Sequence, residues 1–204
     1  MESIEIALQG RVAGRYGRPV APRLVLGHGA SGTAASMAPF VDGLRARGID
    51  AVAVDLPRRR AEDVVPRWLE LAPPGSDVVV GGHSFGGRVA SLAAAAAATA
   101  ATTGADGGVT GYRGLVCFSY PLHRPGGPEL GPRVAHWPAI ACPALLLSGE
   151  SDPFARIGLL REAMALLPDG ELVTYPRLGH GLRPVLDDVL DRTAAFIAAL
   201  PEPR

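Results

Sequence analysis

Ser84 stands in the run Val78-Val79-Val80-Gly81-Gly82-His83-Ser84-Phe85-Gly86-Gly87-Arg88-Val89-Ala90. A serine with glycines two residues to either side, entered from an apolar strand and left into a helix, has the form of a nucleophile elbow. In so sharp a turn, side chains at positions 82 and 86 would collide with neighbouring strand and helix backbone. The hydroxyl is then offered at a helix start, where backbone N–H groups stabilise a developing anion. The plainer alternative is a glycine-rich strand-to-helix turn with serine as N-cap. The pentapeptide alone does not separate the two readings; the strand before it and the helix after it favour the elbow.

A serine hydroxyl is a weak nucleophile at neutral pH and needs a base held by an acid. An apolar run over 144–147 ends in Ser148-Gly149-Glu150-Ser151-Asp152-Pro153, which puts Asp152 on a loop after a strand. Pro153 is expected in the first turn of the following helix, so helix capping is the rival role for Asp152. Glu150, closer to the strand end, is the weaker candidate acid. A last strand over 171–175 is followed by Leu178-Gly179-His180-Gly181-Leu182, which places His180 where a base belongs. The order Ser, Asp, His, each residue after its own strand, is one of the known orders of a hydrolytic triad. Two N–H groups are needed for the oxyanion: Phe85, next to the nucleophile, and one from Gly27-His28-Gly29-Ala30-Ser31-Gly32. Ala30 is the preferred second donor, Gly29 the alternative, and His28 is expected to orient this loop. The same loop has neither the Lys-Ser/Thr of a phosphate-binding P-loop nor dinucleotide glycine spacing. His83 is expected to point away from Ser84, and His83, His123 and His136 show no metal-ligand spacing. No metal and no cofactor are assigned.

Positioning these residues requires strands that end at one edge. Near-continuous apolar runs at 24–26, 51–54, 78–80, 115–118 and 145–147 read as strands of a parallel sheet covered on both faces. Helices are expected over 37–47, stopped by Gly48, and over 61–71, 88–101, 154–167 and 187–200. That alternation describes a doubly wound α/β domain, here one domain over 1–204. Residues 3–8 alternate as an edge strand would. Residues 99–111 are expected to end the alanine helix and cross back to the next strand as a loose loop, and 120–143, rich in Pro and Gly, have no periodicity.

At 204 residues, the chain holds one core comfortably. Lys plus Arg (20) balances Asp plus Glu (20), which removes any global electrostatic case for nucleic acid or an anionic membrane. The run Arg58-Arg59-Arg60 is expected as a solvated loop after a strand. Cys117 and Cys142 read as free thiols, the amino terminus lacks the pattern of a signal peptide, and no apolar stretch spans a bilayer. A cytoplasmic address is the expectation.

With those residues placed, the chain resembles the α/β-hydrolase superfamily over nearly its whole length, particularly the small lidless branch near dienelactone hydrolases. Gly86-Gly87-Arg88 and Ser119-Tyr120-Pro121-Leu122-His123 look like the group containing NSL-complex subunit 3 and testis-expressed protein 30. The resemblance implies an α/β-hydrolase fold, a mostly parallel sheet with helices on both faces, and the triad Ser84, Asp152 and His180. It also implies that Tyr120 to His123 border the site mouth, so that His28, Gly29, Tyr120 and His123 are the expected pocket residues. In many relatives the 120–143 region is a helical lid; about two dozen residues are too few for a separate lid domain. The expected activity is hydrolysis of an ester-like or other activated acyl bond of a small molecule. An acyltransferase and a non-catalytic module that binds a protein or ligand remain open. Arg58 to Arg60, Arg124 and Arg133 point weakly to an acidic substrate group.

Overall fold

The computed structural model describes residues 22–103, 111–127 and 131–202, so the expected edge strand at 3–8 lies outside the described residues. Six strands form one sheet: β1 (Arg23–Gly27), β2 (Asp50–Val54), β3 (Val78–His83), β4 (Gly114–Phe118), β5 (Ala144–Gly149) and β6 (Gly170–Tyr175). Their order is β2-β1-β3-β4-β5-β6, and every pairing is parallel. The helices are α1 (Ala38–Ala46), α2 (Ala61–Leu71), α3 (Phe85–Thr103), α4 (Ile157–Ala163) and α5 (Leu186–Ala199).

Side chains alternate across a strand, so each apolar run supplies both faces. Leu24, Leu26, Val79, Val116, Leu145 and Leu147 pack with Phe40, Leu44, Leu190 and Ile197, on the face covered by α1 and α5. Val25, Val80, Leu115, Cys117 and Leu146 pack with Trp68, Ala90, Ala93 and Trp137, on the face covered by α2 and α3. Trp68 and Trp137 are essentially fully buried, each worth roughly 3 kcal/mol or somewhat more of transfer free energy. The alanines of α3 do something different: Ala90, Ala93, Ala94 and Ala97 are buried, and their small size lets the helix lie close to sheet and α2.

Three helices depart from the sequence reading. The first splits into a 3-10 turn at Ala34–Met37 and α1, whose end is set by Gly48 at φ 80°. α3 starts at Phe85, directly after the elbow and three residues before the expected start, and runs to Thr103, two residues past the expected end. α4 begins only at Ile157, and Pro153 is not in its first turn. The cause is local: the Asp152 carboxylate takes the Phe154 N–H at 2.8 Å and His123 Nε2 takes the Arg156 N–H at 2.9 Å. Those donors are satisfied outside any helical ladder. Across 120–143 the described residues hold one 3-10 turn, Trp137–Ala139, and no lid helix.

The register fixes the site. Gly27 pairs with Gly82, His83 with Phe118, and Gly149 with Tyr175, so β1, β3, β5 and β6 all finish at one edge. In open α/β sheets that carboxyl edge is where ligands bind.

Candidate active site

Ser84 follows β3 with φ 51°, in the left-handed region that a non-glycine residue enters at a cost. Two neighbours hold it there: its N–H donates to the Phe118 carbonyl at 2.9 Å, and its carbonyl accepts from Arg88 N–H at 3.0 Å. A Cβ at Gly86 would run into the Gly27 backbone, so α3 can start against the end of β1 only without a side chain there. The sharp turn aims the hydroxyl off the sheet edge.

His180 Nε2 lies 2.8 Å from Ser84 Oγ, and His180 Nδ1 lies 2.8 Å from Asp152 Oδ2. Asp152 is 4% exposed, and its other oxygen accepts from Phe154 N–H, so both carboxylate oxygens are engaged. Burial without pairing would be costly for this group; here it is paired twice. The imidazole of His180 accordingly donates through Nδ1 and accepts the serine proton through Nε2. Gly149 contributes to this placement, since a Cβ there would collide with the Leu178 and Gly179 carbonyls of the loop that carries His180.

Glu150 does not reach this histidine. It accepts from Arg161 and Thr174, each at 2.9 Å, which leaves Asp152 as the acid beside His180.

The loop carrying Ala30 is fastened to the elbow by Gly86 N–H donating to the His28 carbonyl at 3.0 Å. Among the described residues the N–H groups of Ala30 and Phe85 have no hydrogen-bond partner, as required of donors reserved for a ligand. His28 is 3% exposed; Nδ1 donates to the Gly29 carbonyl at 2.8 Å, and Nε2 accepts from Leu56 N–H at 2.9 Å. It braces two loops and lines a smaller cleft beside Ala30 rather than the Ser84 cleft.

That cleft has a volume of about 540 Å3 and is walled by Met37, Phe40, Phe154 and Leu182, with Gly29, Ala30, Ser84 and His180 at its base. A cleft of about 550 Å3 lies on the other side of Asp152 and includes neither Ser84 nor His180. Of the expected pocket residues Gly29 lines the Ser84 cleft, while His28, Tyr120 and His123 do not. Tyr120 is 1% exposed; its ring packs on Trp137 and its hydroxyl donates to the Arg133 carbonyl at 2.6 Å, with burial pushing its pKa up to about 12. His123 lines the far cleft, where Nδ1 donates to the Arg124 carbonyl at 2.8 Å and Nε2 holds the α4 approach.

His83 corrects a further expectation. Its ring lines the Ser84 cleft, 5.1 Å from the His180 ring, and its Nε2 donates to the His180 carbonyl at 3.2 Å. Burial lowers its pKa, which keeps the ring neutral beside its neighbour. Phe154 closes the opposite side at 4.5 Å from His180. Neither stands out in the sequence as a site residue. Adjacency to Ser84 argues His83 out of the cleft, and Phe154 is a lone aromatic with no periodic signal.

Among the described residues no group of three His, Cys, Asp or Glu is placed to hold a metal ion, and no helix is long and apolar enough to cross a membrane. A serine backed by a histidine and a buried carboxylate, opening on a cleft with free N–H donors, is an arrangement able to attack a carbonyl and hold the resulting oxyanion.

Known proteins share this fold. The fold is similar to DcsB in complex with its substrate analogue (TM-score 0.73, 13% identity, 89% of this chain and 91% of that one). It is similar to Est1E from Butyrivibrio proteoclasticus with ferulic acid bound (0.67, 16%, 90% and 92%). It is also similar to the monoacylglycerol lipase of Paleococcus ferrophilus (0.64, 14%, 86% and 96%). No curated protein matches the sequence. Residues 20–198 match the family described as Alpha/beta hydrolase domain, and the chain belongs to that family.

Proposed function

We propose that this α/β hydrolase is a serine hydrolase that cleaves an ester-like or other activated acyl bond of a small molecule. The observation that carries the reading is the unbroken relay Ser84–His180–Asp152, with both contacts at 2.8 Å, open to a cleft on the serine side. Ser84 Oγ bonds to the carbonyl carbon while its proton passes to His180 Nε2. Asp152 holds the imidazole by Nδ1 and stabilises its charged form. The carbonyl oxygen, now negative, accepts from the N–H groups of Ala30 and Phe85. Collapse breaks the bond to the leaving group, which takes the proton from His180. Water then enters and gives a proton to the same nitrogen as its oxygen bonds to the acyl carbon; the bond from that carbon to Ser84 Oγ breaks, Oγ takes the proton back from His180, and the acid leaves. No step calls for a cofactor.

A scaffold role is favoured by a broken Ser84–His180 contact or a filled cleft, and neither is present. The monoacylglycerol lipase among the structural relatives agrees with an acyl substrate, at an identity that carries the fold alone. The test is labelling by a fluorophosphonate probe together with turnover of short-chain p-nitrophenyl esters. Wild type labels and turns over, and Ser84→Ala does neither while melting as a folded protein. A wild type that does not label overturns the reading.

A further inference from the structure

A smaller cleft of about 150 Å3 adjoins the site, lined by Ala30, Leu56, Phe85, Arg58 and Arg59. Ala30 borders both this cleft and the larger one that holds Ser84 and His180. Of the two residues assigned to the oxyanion, Ala30 therefore sits where the clefts meet, and Phe85 lines the smaller one. Resting on the serine-hydrolase reading, this division gives each half of an ester a side. The leaving-group oxygen must take its proton from His180 Nε2, so it lies in the larger cleft with His180. The acyl chain then runs the other way, past Phe85, into the smaller cleft, which has room for about five water-sized groups.

The charges along this path are one-sided. The chain as a whole is balanced, 20 cations against 20 acids, and all of the cations are arginine. Yet among the described residues no Asp or Glu lines either cleft, while Arg58 and Arg59 line the smaller and Arg183 the larger. Among the described residues these three make no ion pair. Neither of two acids close by in sequence forms an ion pair with Arg58 or Arg59. Asp55 accepts from Ala34 N–H at 2.7 Å, and Glu62 is shared by Arg60 and Arg88. Arg133, by contrast, is tied to the carbonyls of Pro121 and His123, at 2.9 and 3.1 Å. Two arginines without an ion pair, lining an otherwise largely apolar slot, fit a carboxylate better than any neutral group.

We propose that the preferred substrates are esters whose acyl chain ends in a carboxylate, bound at Arg58 and Arg59. The test compares p-nitrophenyl hemiadipate with p-nitrophenyl hexanoate, whose acyl chains have equal carbon number and whose leaving groups are identical. At low ionic strength the wild type favours the hemiadipate in kcat/KM by about tenfold, as expected of two exposed charge-assisted contacts. Raising sodium chloride to about 0.5 M reduces that ratio, because exposed charges are screened. In Arg58→Gln/Arg59→Gln the ratio falls to about one. In Arg183→Gln, on the leaving-group side, both esters change in equal proportion and the ratio persists. A melting curve shows that each variant is folded, and the salt dependence of the wild type tests the inference without any variant. An enzyme that labels with fluorophosphonate but shows no preference for the hemiadipate, or a preference indifferent to salt and to the double variant, overturns this inference and leaves the hydrolase reading standing. Failure to label removes both.

Discussion

Two serine–histidine pairs lie on either side of the start of α3. Ser84 and His180 are 2.8 Å apart at the sheet edge, and Ser91 and His136 are 2.8 Å apart beneath the 120–143 connection. The difference between them lies in everything around that distance. Ser84 is held at a positive φ that turns its hydroxyl into a cleft, whereas Ser91 is a helical residue with no exposed surface whose hydroxyl donates to the Arg88 carbonyl. His180 has a buried carboxylate at its far nitrogen. His136 has no acid there, and burial, followed by the nearby Arg88 charge, lowers its pKa to about 4. A short contact makes a nucleophile only where an acid orients the base and the hydroxyl meets open space.

The most severe way to test this contrast is to remove the acid from one pair and the hydroxyl from the other. Asp152→Asn keeps the shape but lets His180 settle in the wrong tautomer, and kcat is expected to fall by about 10,000-fold. Ser91→Ala leaves ester turnover intact and costs stability instead, about 1–2 kcal/mol for the hydrogen bond that His136 no longer makes. Steady-state kinetics and chemical denaturation of the two variants decide the matter. Comparable losses of turnover would mean that the two pairs are not distinct in kind.

Backbone geometry gives the next effect in size. Gly86→Ala places a methyl against the backbone of Gly27, where nothing flexible can yield. The expected cost is about 3 kcal/mol or more, a drop in Tm of about 6–12 °C for a chain of this size. Because β1 also carries the Ala30 loop, surviving folded protein should lose kcat more than KM. A variant that melts like wild type would show that the elbow can shift without strain.

How much of this is legible in the sequence follows from the range of the forces involved. The elbow declares itself in a pentapeptide, although the contact that glycine at 82 and 86 answers is with the Gly27 backbone of β1, far away in sequence. The apolar runs declare strands because a sheet covered on both faces leaves them no polar position. Strand order alone places Asp152 and His180, and bringing them to Ser84 needs only parallel register. What stays hidden is tertiary. Tyr120 and His123 carry polar atoms that a sequence offers equally to substrate or to backbone; here the Arg133 carbonyl and the Arg156 N–H claim them. The late start of α4 depends on the contacts of His123 and Asp152. Adjacency misleads for His83, because what places its ring is the His180 carbonyl, far away in sequence.

The smallest effect belongs to the buried pair and is read in pH. His136 titrates near 4 in the folded chain, against about 6.5 for an ordinary histidine. Between those values the unfolded chain binds a proton that the native chain refuses, so stability is full above about pH 6.5 and declines as pH falls toward 4. The loss attributable to this residue is about 1–2 kcal/mol, reduced from the full shift because the ring is partly exposed. That amounts to about 4 °C in Tm. Other groups titrate over the same range, so the informative quantity is the difference between wild type and His136→Gln, whose amide can still bond Ser91 Oγ but takes up no proton. The two melting temperatures should converge as pH falls from 7 toward 4, by an amount that salt scarcely alters, because desolvation rather than a surface charge sets the shift. Curves that run parallel across that interval would mean that His136 accepts its proton in the folded chain, and that the second pair is open to solvent much as the first is.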